Sequence, residues 1–198
     1  MDIIQEAMDF ARDIFVGDFG GHDFDHTLRV YRMALRIAKD EGADIRITGL
    51  AALLHDVDDH KLSPETSTDL KRASDFLHSH GVAAETAERI LRIISQVSFS
   101  GGKVPDTLEG KCVQDADRLD AMGAIGIART FAYGGSKGRR LHEPAGKDKT
   151  TSVQHFYDKL LRLESLMNTE TARKLARDRH VFMELYLERL YGEWEGNH

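Results

Sequence analysis

Three stretches of this sequence gather side chains able to bind a cation or move a proton. The first is Gly21-His22-Asp23-Phe24-Asp25-His26-Thr27-Leu28-Arg29-Val30. Helical spacing sets His22, His26, Arg29 and Val30 on neighbouring faces, so two imidazoles and a guanidinium look toward the same space. Imidazole offers a neutral nitrogen ligand to transition metals, and guanidinium a fork for phosphate. The second stretch, Leu50-Ala51-Ala52-Leu53-Leu54-His55-Asp56-Val57-Asp58-Asp59-His60, runs an apolar helix straight into a His-Asp pair. Neighbours on a helix point about 100° apart, so both can bind one ion only if it lies between them near the helix end. Following four apolar residues, the pair loses hydration, which is tolerable if the two groups pair or coordinate a metal. The third stretch is Val113-Gln114-Asp115-Ala116-Asp117-Arg118-Leu119-Asp120-Ala121-Met122-Gly123. Asp117 and Asp120 share a helix face and Asp115 lies on another side. Acids flanked by Val113, Leu119 and Met122 put charge close to a core, where it requires a counterion. His22, His26, His55, Asp56 and the aspartates of 114–120 are thus the groups able to bind a divalent ion, with the choice among them open at this level.

The elements that must position these groups read as helices. Only Pro64, Pro105 and Pro144 interrupt the chain, and apolar residues recur at helical rather than alternating spacing. Helices are expected over residues 2–16, 23–41, 44–58, 65–80, 83–98, 107–132, 152–167 and 169–192, which makes the chain all-α. Gly81 stands where the residue after a helix C-terminus would be. Residues 98–105 read as a loop, and 133–149 as a longer one rich in glycine and basic residues. A structureless stretch of that length suggests a substrate-facing lid, a flexible excursion or a docking loop. The apolar stripe Leu175, Phe182, Leu185, Leu187, Leu190 and Tyr191 reads as intramolecular core, with a partner-binding scaffold as the rival.

Composition narrows the function classes. The 198 residues suit one domain spanning 1–198, with 41 % hydrophobic and 30 % charged residues, an ordinary globular balance. A net charge of −6, from 27 basic and 33 acidic residues, gives no global positive field and disfavours nucleic acid or anionic lipid as a partner. The single cysteine, Cys112, forms no intramolecular disulfide and fits a reducing cytoplasm. The N-terminus Met1-Asp2-Ile3-Ile4-Gln5-Glu6 lacks the pattern of a secretory signal, and no apolar run spans a bilayer. The expectation is a soluble cytoplasmic protein with no membrane partner.

A histidine, a His-Asp doublet about 30 residues on and an aspartate about 60 residues beyond it resemble the HD-domain superfamily of metal-dependent phosphohydrolases. His26, His55-Asp56 and Asp117 match that pattern in order and spacing. The stretches 21–30, 53–57 and 114–126, with His155-Phe156-Tyr157-Asp158-Lys159-Leu160-Leu161 and Leu166-Met167-Asn168-Thr169, are similar to a subfamily of small bacterial single-domain members. The resemblance implies a helical bundle presenting His26, His55, Asp56 and Asp117 to one divalent ion, and it favours Asp117 over Asp115 as the second acid in Asp115-Ala116-Asp117-Arg118-Leu119. His60, His78 and His80 do not clearly match the extra histidines of dinuclear relatives, which favours one metal. His78 and His80 read as the solvent-facing end of a helix.

A mixed set of two imidazoles and two carboxylates suits manganese, magnesium, iron, nickel or cobalt better than a closed thiolate zinc site. The implied activity is hydrolysis of a small phosphorylated substrate, a nucleotide such as a nucleoside triphosphate or a related ester, by a metal-activated water. Asp59 and Asp120 are candidates to orient or deprotonate that water. Arg29, Lys61, Lys103 and Arg118 are the basic residues nearest the motifs and candidates for the substrate phosphates, with Lys137, Arg139, Arg140, Lys147 and Lys149 on the long loop. The alternative is a metal- or nucleotide-binding sensor with little turnover.

Overall fold

The computed structural model describes residues 2–16, 23–58, 70–97 and 103–197. Among the described residues the regular elements are all helical, and none is long and apolar enough to cross a membrane. The chain divides into two units, Met1–Asp117 and Arg118–His198.

In the first unit, α1 (Ile3–Ile14), α2 (Phe24–Glu41) and α5 (Ala84–Val97) pack on α3 (Ile45–Leu54). The sequence of α3 explains its central place. After Arg46 it carries no charge, and every residue from Ile47 to Leu54 is buried, so the helix is apolar on all sides and must be enclosed by others. Asp44 starts it by accepting the backbone N–H groups of Arg46 and Ile47. The helix stops at Leu54, and residues 55–58 form a turn instead of the last helical turn expected from 44–58. The His-Asp pair thus sits at the open end of the most buried helix of this unit. The unit's described residues also form α4 (Lys71–Ser79) and most of α6 (Leu108–Asp120). α4 is joined to α1 by stacking of Phe76 on Phe10, with ring centroids 4.9 Å apart. His78 and His80 close α4 through Nδ1–H bonds to the carbonyls of Ser74 and Phe76, and Gly81 follows in the left-handed region.

In the second unit the expected helix 107–132 is divided. It ends at Asp120, and α7 (Gly123–Ser136) begins after a short turn. Gly123 takes φ +68°, which suits glycine, and a Cβ on Gly126 would lie 2.2 Å from the Ala121 carbonyl oxygen, so the chain can double back only without side chains there. Arg179 braces the same turn, its guanidinium donating to the Leu119 carbonyl. Tyr133 to Ser136, expected in the long loop, extend α7. Residues 137–150 are a tied loop: the Glu143 carboxylate accepts the N–H groups of Ala145, Lys147 and Asp148. Ser152 and Val153 donate back to the carbonyls of Arg140 and Leu141. The expected helix 152–167 breaks into α8 (Ser152–Asp158) and two single-turn 3₁₀ helices. α9 (Glu170–Trp194) packs on α7. Its apolar stripe is split: Leu187 is buried, whereas Phe182 and Leu185 are exposed, because the core-facing line runs through Ala172, Ala176, Met183 and Leu187.

Candidate metal centre

Each residue of the centre owes its place to a local feature. Asp23 caps α2 by accepting the backbone N–H of His26 at 2.7 Å, which locks His26 into the first turn with its side chain only 1 % exposed. His55 leaves the end of α3, and its Nδ1 lies 2.8 Å from the Ala52 carbonyl oxygen. A carbonyl can only accept, so Nδ1 carries the proton and Nε2 of the neutral ring holds the lone pair. That Nε2 is buried and makes no hydrogen bond.

The donor atoms converge. Asp56 Oδ2 stands 3.3 Å from His55 Nε2 and 3.4 Å from His26 Nε2. Asp117 Oδ1 is 3.5 Å from His26 Nε2. Ligand atoms of His26, His55 and Asp117 all lie within 4.8 Å of one another. Two donors each about 2.1 Å from one ion stand about 3.0 Å apart at a right angle and about 3.4 Å apart at the tetrahedral angle. The separations of 3.3–3.5 Å would suit atoms around a shared cation. They are too long for good hydrogen bonds between the pairs themselves.

Charge agrees with geometry. Burial by itself pulls the His55 pKa down, but the carboxylate of Asp56, and then that of Asp117, outweigh it and hold the imidazole above its ordinary value. Two carboxylates beside two buried rings thus call for positive charge, which a divalent ion supplies in full. The buried lone pair of His55 and the mixed nitrogen and oxygen donors fit such an ion. Exposure rises from 1 % at His26 and 3 % at His55 to 14 % at Asp56 and 26 % at Asp117, so the carboxylate side is open to a small molecule.

Other expected site residues are placed differently. Asp59 and Lys61, with His22 and His60, lie outside the described residues. Asp115 is fully buried and outside the three-residue group; Asp56 is outside it too, but its carboxylate reaches both imidazoles. Asp120 is 5 % exposed and ion-paired with Arg129. Arg118 is also buried, and its guanidinium donates to the Leu166 carbonyl. Arg29 lies one turn beyond His26, half-buried, and Lys103 is exposed. Two residues near the ligands are not evident from sequence. Gln114, one turn before Asp117, donates through Nε2 to the carbonyls of Gln96 and Lys103 and so ties both onto α6. Asp58 accepts two backbone N–H groups of α4. Their partners are 11 to 18 residues away in the chain, so no local pattern marks them.

The comparisons with known proteins extend this picture. A family profile described as the HD domain matches residues 23–122. A curated Bacillus subtilis protein, YpgQ, is 41 % identical over 190 residues, covering 94 % of this chain and 91 % of that protein. The crystal structure of Bacillus subtilis YpgQ in complex with ADP superposes with a TM-score of 0.84 at 38 % identity, covering 98 % of this chain and all of that one. An HD-superfamily hydrolase from Bacillus thuringiensis gives a TM-score of 0.83 at 44 % identity, covering 97 % of this chain and 96 % of the other.

Proposed function

This chain belongs to the HD-domain family, and from that premise we propose that it is a metal-dependent phosphohydrolase acting on a nucleotide. The observation that carries the reading is the grouping of His26, His55 and Asp117 ligand atoms within 4.8 Å of one another, with the Asp56 carboxylate 3.3 and 3.4 Å from the two imidazoles. The ADP complex of the related Bacillus subtilis protein supports a nucleotide, because that protein accommodates a base, a ribose and a diphosphate on the same fold.

His26 and His55 would hold the ion through Nε2, and Asp56 and Asp117 would balance its charge. Manganese, magnesium, iron, nickel and cobalt all suit this donor set. When bound, such an ion supplies Lewis-acid chemistry for phosphoryl transfer to water. Asp59 is the preferred group to accept a proton, since the Asp120 carboxylate is engaged with Arg129. Arg29, Lys61 and Lys103 are the preferred contacts for the substrate phosphates. Arg118, with its guanidinium committed to the Leu166 carbonyl, serves as a buttress instead. The whole chain acts as one functional domain in a reducing cytoplasm, which its one thiol, buried and unpaired, suits.

The test is release of phosphate or pyrophosphate from a panel of nucleoside di- and triphosphates with manganese present. Metal-dependent turnover that disappears in His55→Ala is the expected result. Nucleotide binding without turnover across the panel overturns the enzyme in favour of a nucleotide sensor.

A further inference from the structure

The turn His55–Asp58 is held at its far end by a contact that reaches across the fold. α4 begins without a side-chain cap of its own: Leu70, at its N-cap position, carries no side-chain oxygen and sits at φ 48°, in the left-handed region. The missing acceptor comes from Asp58. Its Oδ1 accepts the N–H of Arg72 at 3.1 Å, and its Oδ2 accepts that of Ala73 at 3.0 Å. These are the N–H groups that a helix cap satisfies, and a carboxylate there also gains from the helix dipole. Arg72 returns a bond through Nη1 to the Val57 carbonyl at 3.4 Å. Asp58 itself is only 4 % exposed.

The location of this clasp matters more than its strength. Within the turn, the Val57 N–H reaches the Leu54 carbonyl at 3.4 Å, a long contact. His55 is steadied by Ala52, but Asp56 lies between that anchor and the Asp58 clasp. α4 is itself fastened to α1 by Phe76 on Phe10, and His80 Nε2 approaches Glu6 to 3.6 Å. A fixed helix end thus holds the residue two places beyond Asp56.

We propose that Asp58 is a positioning residue for the metal centre: by capping α4 from a distance it sets the direction in which Asp56 presents its carboxylate to His26 and His55. This rests on the metal-centre reading above. Ligands that are steered by a hydrogen-bonded support lose about 10- to 100-fold in metal affinity when the support is removed.

The experiment loads the full-length chain with cobalt(II) and reads affinity and the visible d–d bands, which report ligand geometry independently of turnover. Asp58→Asn keeps shape but puts an amide NH₂ against a backbone N–H. Asp58→Glu keeps the charge at the helix end but moves the carboxylate by one methylene, and it carries the test if Asp58→Asn does not fold. Thr169→Ala, which removes the hydroxyl cap of α9, is the stability control. We expect cobalt affinity to fall about 10- to 100-fold with altered bands in the Asp58 variants, and a lowered Tm with wild-type bands in Thr169→Ala. Wild-type affinity and bands in the folded Asp58 variants overturn the proposal and leave the metal centre standing. Failure of the wild-type chain to bind cobalt sinks the metal centre, and the proposal with it.

Discussion

The proton on His55 is assigned by a single neighbour: the Ala52 carbonyl, 2.8 Å from Nδ1, leaves Nε2 as the only nitrogen able to take a cation. The helix end therefore orients the ligand chemically as well as spatially, and the imidazole is ready without rotation or tautomer exchange.

One consequence separates the two aspartates of α6. Asp117→Ala removes a donor from the cluster and should weaken manganese or cobalt binding by at least tenfold, with little change in the Tm of the metal-free chain. Asp115→Ala, by contrast, empties a fully buried polar position and should cost about 1–3 kcal/mol of stability while metal stoichiometry holds at one. Elemental analysis and thermal melts with and without EDTA distinguish the two. Loss of metal in Asp115→Ala and its retention in Asp117→Ala would reverse the assignment.

The junction between α6 and α7 makes a purely structural prediction. In Gly126→Ala the new methyl would meet the Ala121 carbonyl oxygen at 2.2 Å, and backbone cannot swing aside as a side chain can. Destabilisation of about 1–3 kcal/mol follows, or roughly 2–12 °C in Tm for a chain of this length. Calorimetry on the metal-free protein is the direct measurement, and an unchanged Tm would show that the turn is not built this way.

His155 should make stability depend on pH. Burial, and then Lys159 and Arg139, hold its pKa below the ordinary imidazole value, against a smaller opposing pull from Asp158. The unfolded chain therefore binds the proton more readily than the folded one. Above the ordinary value both states are neutral and nothing is lost; as pH falls below it, the unfolded state gains protons first and stability declines. Urea melts at pH 7.5 and 5.5 should show a larger acid loss in the wild type than in His155→Gln. Equal losses in both would remove His155 as the cause.

Cys112 should be chemically silent. Burial, and then the carboxylates of Asp115, Glu41 and Glu109, push its thiol up to about 12, and none of its surface is exposed. The native protein should fail to react with a thiol reagent at pH 8 and react fully in denaturant. Rapid labelling of the folded chain would contradict this placement.

Local sequence was legible wherever a short-range rule governs the outcome. Helix periodicity marked nearly every helix, and the apolar run Leu50–Leu54 ending in His55-Asp56 announced a buried helix with polar groups at its mouth. The misplaced boundaries have physical causes that no local pattern carries. The turn after Asp120 depends on Arg179, some sixty residues on, and Tyr133–Ser136 remain helical because Arg139 and Lys137 donate back to the carbonyls of the last turn. The stripe on α9 reads as one face in sequence, but the line through Met183 and Leu187 is the part that meets the core.

By itself the sequence determined the all-α class and the supply of imidazoles and carboxylates, because helical periodicity and side-chain chemistry are local properties. Tertiary structure alone decided which donors converge and how they are held. The separations of 3.4 and 3.5 Å from His26 to Asp56 and Asp117 exist only once α2, the end of α3 and α6 are packed together. The commitments of Asp58 to α4 and of Asp120 to Arg129 likewise depend on groups far along the chain or across a turn. A carboxylate's role is set by the partner that reaches it, and that partner is chosen by packing.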